Sequence, residues 1–262
     1  MPEIRLQRAM AEAGVASRRG AEALISAGRV RVDGRPAVIG ERVDVERQRV
    51  ELDGRPLGST QRFAYLAVSK PAGVTSTVRD RHARRTVLDL VPPSLSRDVR
   101  LYPVGRLDRD SEGLLLLTND GALTERLLHP RYGVEREYAV ALENPLEDRQ
   151  QDALRGGIEL LEGGATLVSL RSATSDDTKA LDRLVWPPPD PAMAWYRVVL
   201  GEGRKRQVRR MFGAVGATVL RLVRVRIGPL ELEDLAPGGV RPLEPGEVER
   251  LWAAAAGAGE RH

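Results

Sequence analysis

The sequence predicts an α+β protein in two unequal parts: a small helix-and-strand module over residues 3–58, and a larger domain over residues 62–250 with a mostly antiparallel mixed sheet. Three observations carry that expectation. Two short helical stripes and two Asp-Gly turns fall within the first 60 residues, period-two apolar runs dominate from Phe63 onward, and the polar stretch Leu57-Gly58-Ser59-Thr60-Gln61 reads as a linker between them. At 262 residues the chain is long enough for two cores.

In the first part, Leu6, Met10 and Ala13 form a narrow apolar stripe closed by Gly14, and Ser17 is placed to cap a second helix running through Leu24 and Ile25 to Gly28. Val30 and Val32 then alternate with arginines before Asp33-Gly34. Val50 and Leu52 flank Glu51 before Asp53-Gly54, so two short half-buried strands each end in a hairpin turn.

In the second part, strands are expected at Tyr65 to Val68, Gly113 to Thr118 and Glu137 to Leu142. Ile158 to Leu161 is expected to pair with Thr166 to Leu170 across Glu162-Gly163-Gly164. Helices are expected at Ala122 to Leu128, Pro145 to Leu154 and Arg204 to Val215. The last has Val208, Met211, Phe212 and Val215 at i, i+3, i+4 and i+7. The stretch Ser175 to Pro191, with its paired aspartates and three consecutive prolines, reads as a surface insertion. Val223, Val225 and Ile227 alternate with Arg224 and Arg226, which predicts a strand with one buried and one basic face.

The composition narrows the function. Only Lys70, Lys179 and Lys205 among the 41 basic residues are lysines, and arginine grips phosphate bidentately and stacks on bases. Between Arg197 and Arg226 nine basic residues face one acid, Glu202, a local excess of +8 that reads as a footprint for a polyanion. There is no cysteine, so disulfides and thiolate metal sites are excluded, and His82, His129 and His262 form no ligand spacing. No cofactor is expected. The start of the chain lacks the apolar core of a signal peptide and no run approaches 18 apolar residues, so a cytoplasmic protein without membrane contact is expected, as a monomer.

The segment Gly105 to Gly121 places one carboxylate, Asp108, between Arg106 and Arg109 on a loop just before a buried strand. That is a way to display a reactive acid on a rigid support. Three further segments accompany it: Lys70-Pro71-Ala72-Gly73-Val74-Thr75-Ser76, Glu137-Tyr138-Ala139-Val140, and Glu202-Gly203-Arg204-Lys205-Arg206-Gln207-Val208-Arg209-Arg210-Met211-Phe212. In this order they resemble the bacterial ribosomal RNA pseudouridine synthases of the RsuA/RluB group, with the last word closest to the large-subunit RluB type. The first 58 residues resemble the RNA-binding module named after ribosomal protein S4, through Arg-Leu-Gln-Arg, Ala-Gly-Val-Ala-Ser-Arg-Arg and Gly-Arg-Val-Arg-Val-Asp-Gly.

The resemblance implies a cofactor-free isomerase that cuts the uridine N1–C1′ bond, turns the uracil and rejoins it through C5, in ribosomal RNA and specifically 23S RNA. It implies Asp108 as the catalytic aspartate, Tyr138 as the ring stacked under the target base, and Arg209 as the guanidinium paired with Asp108. Each role has a chemical reason. A carboxylate that must act in a dry pocket needs a permanent cation beside it, and a base taken out of its stack regains about 1–3 kcal/mol on an aromatic ring. RNA contacts are implied for Arg5, Arg18, Arg19, Lys70, Arg106, Arg204, Lys205, Arg206 and Arg210, with Arg106 reaching toward the space the base vacates and Lys70 bracing the loop. Arg206 departs from the histidine or asparagine common in relatives. The alternative reading is a ribosome-assembly factor that binds RNA on the same fold without catalysis. A hydrolase is disfavoured because no second carboxylate or histidine is placed to activate water.

Overall fold

A computed structural model of the chain describes residues 3–57, 63–78, 85–97 and 99–256. The expected linker lies, apart from Leu57, outside the described residues, as do His82 and His262. The chain forms two compact units, one built from residues up to Ala64 with short segments at 98–100 and 119–121, the other from the remainder.

The smaller unit runs β1 (Ile4–Arg5), α1 (Leu6–Glu12), α2 (Arg18–Ser26), β2 (Val30–Val32), β3 (Arg35–Pro36), β4 (Arg42–Val43), β5 (Val50–Leu52) and β6 (Arg55–Pro56). Ser17 caps α2 as expected, its side-chain oxygen accepting from the Gly20 amide at 2.9 Å. The two Asp-Gly pairs turn β2 into β3 and β5 into β6. Asp33 and Gly34 have φ of 51° and 80°, and Asp53 and Gly54 have 51° and 76°, the positive values that a two-residue type I′ turn requires. Pairing of β2 with β5 joins the hairpins into a sheet of order β3-β2-β5-β6, while β1 pairs with β4. Leu6, Met10, Ala21, Ile25, Val30, Val32 and Val43 form its core.

The larger unit begins with β7 (Tyr65–Lys70), a 3₁₀ turn at Val87–Leu90, α3 (Pro93–Ser96), β8 (Tyr102–Pro103), β9 (Glu112–Thr118), α4 (Gly121–Leu128) and a second 3₁₀ turn at Pro130–Tyr132. It continues through β10 (Arg136–Leu142), α5 (Asp148–Gly156), β11 (Ile158–Leu160), β12 (Gly163–Ala165), β13 (Ser169–Ser172), α6 (Ser175–Leu184) and β14 (Ala194–Leu200). It ends with α7 (Gln207–Ala214), β15 (Val219–Ile227), β16 (Leu230–Glu231), β17 (Val240–Pro242) and α8 (Pro245–Ala256). Its main sheet has the order β13-β14-β10-β15-β9-β7-β17, with β8 added on β9 and β16 on β15. Every pairing in it is antiparallel except β9 with β15, so the mixed, mostly antiparallel sheet is as expected.

The two faces of this sheet do different things. Leu114 and Leu116 of β9, Ala139 and Ala141 of β10, and Val223, Val225 and Ile227 of β15 pack in one core with Leu123 and Leu127 of α4, Leu181 and Leu184 of α6, and Leu251 and Ala255 of α8. Side chains alternate along a strand, so Tyr138 of β10 and Arg224 of β15 point to the opposite face. They are direct cross-strand partners there.

Three expectations are corrected. Ser175 to Pro191 is not a surface insertion: its first ten residues are α6, which buries Leu181 and Leu184 in the core. Thr174 and Asp177 form a capping box at its start, so the acids sit where the helix dipole favours them and the prolines follow its end. The glycines read as a hairpin turn are strand β12 itself, paired with β11 around Leu161-Glu162, while Ser169 to Ser172 pair with β14 instead. The helices expected from Pro145 and Arg204 start later, at Asp148 and Gln207.

Candidate active site

Asp108 sits on the loop entering β9, and that loop is fixed from three sides. Leu107 is buried, its amide donating to Ser76 Oγ at 3.1 Å while the same hydroxyl donates to the Leu107 carbonyl at 2.9 Å. The Gly73 amide donates to the Arg109 carbonyl at 2.7 Å. Beneath them the Lys70 ammonium donates to the carbonyls of Ser111 at 2.5 Å, Pro71 at 2.9 Å and Arg109 at 3.5 Å. The segment Lys70 to Ser76 thus holds the acid's backbone. Lys70 is 1% exposed, so the expected RNA contact is replaced by this internal brace. Burial, partly offset by Glu112, Asp110 and Asp108, pulls its ammonium down to about 8.

Asp108 opens into a cleft of about 590 Å³. Arg106, Tyr138, Arg136, Arg224, Ser111 and the Gly203 to Val208 segment line it with Asp108. Tyr138 is buried to 8% exposure in the wall, whereas Arg106 and Lys205 are exposed at the rim. The elements that converge are therefore the β9 loop, the two strands β10 and β15, and the turn entering α7.

That turn is tied to itself. Gln207 is buried, its side-chain amide donating to Glu202 at 2.9 Å and its oxygen accepting from the Arg204 amide at 3.0 Å. Arg206 occupies the left-handed region at φ 51° as the residue before α7. Its guanidinium reaches Asp108 Oδ2 at 3.5 Å and Asp110 Oδ1 at 3.4 Å. Arg209 instead pairs with Asp110 Oδ2 at 3.2 Å and donates to the Val219 carbonyl at 2.7 Å. The expected pairing of Arg209 with Asp108 is thus corrected: among the described residues the guanidinium on Asp108 is that of Arg206. Burial disfavours the Asp110 carboxylate, yet Arg209 and then Arg206 hold its carboxyl below the usual range.

The basic footprint also changes in three dimensions. Arg197 pairs with Glu137 and Asp177, Arg204 with Glu202, Arg210 with Glu162, Arg221 with Glu112, and Arg226 with Glu135 and Glu137. With Arg206 and Arg209 on Asp108 and Asp110, seven of the eight arginines between Arg197 and Arg226 have a carboxylate, most of them far away in sequence. The excess of +8 does not exist in space. Arg204 and Arg210 bind the β11–β12 hairpin through Glu162 and the Gly163 carbonyl, so both are committed to holding it. In the smaller unit Arg5, Arg18 and Arg19 are all exposed, Arg5 also donating to the Gly40 carbonyl.

Sequence reasoning did not single out Arg136 or Arg224 for the cleft, nor Asp110 for the ion pairs with Arg206 and Arg209 beside it. The alternation of β15 did place Arg224 opposite the core, but that face is the floor of the cleft rather than solvent.

Comparison with known proteins gives the geometry its context. Residues 64–214 match the model of the RNA pseudouridylate synthase family, and residues 4–48 match that of the S4 domain. An uncharacterized RNA pseudouridine synthase of Mycobacterium tuberculosis is 40% identical over 252 residues, covering 96% of this chain and 94% of that protein. The ribosomal large subunit pseudouridine synthase B of Escherichia coli K12 is 39% identical over 253 residues, covering 94% and 81%. A crystal structure of a pseudouridylate synthase superposes with a TM-score of 0.62 at 27% identity, covering 95% of this chain and 99% of that one.

Proposed function

Because the chain belongs to the RNA pseudouridylate synthase family and carries its S4 domain in front, we propose that it converts a uridine of 23S ribosomal RNA to pseudouridine, with Asp108 as nucleophile. The observation that carries the reading is that Arg106 and Asp108 of the loop entering β9 and Tyr138 of β10 line one cleft. The relatives named for the large ribosomal subunit support the choice of RNA. The domain boundary is proposed in the 58–62 stretch, with the RNA-binding module over 3–58 and the catalytic domain over 62–250.

In this reading the target nucleotide is extruded from its helix and its base lies on the Tyr138 ring, offsetting the unstacking cost. A carboxylate oxygen of Asp108 attacks C1′ as the N1–C1′ bond breaks and the bonding pair leaves with the uracil. After the ring turns, the C5 carbon displaces the carboxylate from C1′, the C5 proton passes to water, and N1 takes a proton from water in its place. Arg206 keeps the carboxylate aimed into the cleft, Arg209 acts one step removed by holding Asp110, and Arg106 and Lys205 at the rim meet the RNA backbone. Arg18 and Arg19 serve as phosphate contacts of the amino-terminal module. They stand at the amino terminus of α2, where the helix dipole disfavours cations, and phosphate would relieve that cost.

The test is Asp108→Asn, assayed by tritium release from uracil C5 and by chemical mapping of pseudouridine on ribosomal RNA. Turnover should fall by at least about a thousandfold while RNA affinity stays within a few-fold, because asparagine keeps the shape but not the attacking oxygen. Asp176→Asn, an exposed side chain in the first turn of α6, serves as the control. Robust turnover by the Asp108 variant would remove it from the chemistry.

A further inference from the structure

Arg224 is the one arginine between Arg197 and Arg226 that no carboxylate neutralises among the described residues, and it is also the most buried, at 4% exposure. Its Nε–H donates to the Leu114 carbonyl at 2.8 Å, which pins the guanidinium under the sheet. Its Nη2 is buried and has no hydrogen-bond partner at all. A charged group left so is costly, because a buried donor without an acceptor loses its full hydration. Proteins that bury an arginine normally supply the anion, and this chain does so for the other seven arginines between Arg197 and Arg226.

The surroundings say where the missing acceptor comes from. Arg224 lies on the cleft floor and is the cross-strand partner of Tyr138, so the two side chains stand next to each other on one face. Arg136 lines the same cleft, 7% exposed, and its guanidinium donates only to the carbonyls of Val134 at 2.9 Å and Leu127 at 2.6 Å. A second buried group there, Ser111 Oγ, also lacks a partner. The floor thus carries two buried cations without a protein anion, beside the ring on which the extruded base is proposed to lie.

We propose that Arg224 is a catalytic residue that donates its free Nη2–H to a carbonyl oxygen of the target uracil, and that this bond strengthens when the ring carries the pair from the broken N1–C1′ bond. The idea rests on the function proposed above and deepens it. The charge on the detached uracil is shared between its two carbonyl oxygens, and a fixed guanidinium in a site shielded from water stabilises it with no reorganisation and no proton transfer. The contact is weaker to the neutral base of the bound substrate. It therefore acts on the rate more than on binding.

The experiment measures single-turnover rates on a synthetic RNA carrying the uridine that the wild-type protein converts, for the wild type, Arg224→Met and Arg224→Lys. Folding is followed by thermal melting. The Met variant should lose about a hundredfold in rate with its RNA affinity within about threefold, and the Lys variant, which keeps a buried cation, carries the test if the Met variant does not fold. Each protein is then given the same RNA with 2-thiouridine or 4-thiouridine at the target, since sulfur is a poor acceptor. One of the two thio substrates should slow the wild type yet slow the variants little further.

Rates within threefold of wild type in the folded variants, or thio and Arg224 effects that simply multiply, would overturn the proposal. Coupling instead to a methylphosphonate placed beside the target would assign Arg224 to the RNA backbone and overturn the ring contact. Absence of turnover by the wild type would overturn the functional reading and this one with it, whereas wild-type turnover without coupling overturns this one alone.

Discussion

Lys70 holds a charge where water does not reach, hydrogen-bonded to the carbonyls of Pro71, Arg109 and Ser111 and partly offset by the carboxylates of Glu112, Asp110 and Asp108. From the sequence Lys70 takes two parts, an RNA contact and a brace for the Asp108 loop, and its burial decides for the brace. Its folded-state value of about 8 lies below the ordinary lysine value of about 10.4. Between those values the unfolded chain binds the extra proton and the folded chain does not, so the contribution of Lys70 to stability rises as pH climbs through that window. Below pH 8 both states are protonated and the contribution is flat. The melting temperature of the wild type minus that of Lys70→Met should therefore increase from about pH 8 to pH 10. A difference that stays constant would mean the ammonium is not desolvated. The Met variant should also lose at least about tenfold in turnover, because three loop carbonyls behind Asp108 lose their donor. The Asp108 loop itself was legible, but the identity of its guanidinium was not. Arg206 and Arg209 both face that loop, and the residue that decides between them, Asp110, looks in sequence like a bystander.

At the scale of elements, the one parallel pairing in the sheet sets the register of the site. Strands β9 and β15 meet with Gly113 opposite Arg224, so close that a Cβ on Gly113 would lie 2.2 Å from the Arg224 carbonyl oxygen. Gly113 also has φ of +97°, which disfavours any side chain. Gly113→Ala should cost about 2 kcal/mol or more in urea unfolding, and it should depress turnover in whatever fraction still folds by shifting Arg224. Gly156→Ala, where nothing lies within 4 Å, should stay within about 1 kcal/mol of wild type. A Gly113 variant as stable as the Gly156 variant would mean the strands separate freely there. Strands with clear alternation, such as β9, β10 and β15, were legible because burial on one face writes a period of two. Helix α6 was not, because its two aspartates and the prolines after it look like loop signals when they are the start and stop of a helix. The β11–β12 hairpin was misread for a related reason, since Gly163 and Gly164 are edge-strand residues that look like a turn.

At the scale of the whole molecule, one core among the described residues gathers around Leu6, Met10 and Val30 and another around Leu116, Val223 and Leu251. Charge pairing was the least legible property at this scale: Arg221 finds Glu112 and Arg226 finds Glu137 across about a hundred residues of chain, which no local count of charges can foresee. With seven of the eight arginines between Arg197 and Arg226 already paired, the proposed phosphate contacts fall more heavily on the amino-terminal module, where Arg18 and Arg19 are exposed. Removing residues 1–58 should leave the larger unit folded, with a cooperative melt, because the core cluster described in it is built from residues between Ala67 and Ala255. Its affinity for structured ribosomal RNA should fall, and the slope of log K against log salt should become shallower by about 0.7–0.9 for each phosphate no longer neutralised. Arg18→Ala with Arg19→Ala in the full chain should recover a change of about one to two in that slope without altering the rate once RNA is saturating. A truncated protein with unchanged affinity and slope would show that the module does not hold the substrate. A double variant that lowered the saturated rate while leaving the slope alone would place these two arginines in the chemistry rather than in the grip on RNA.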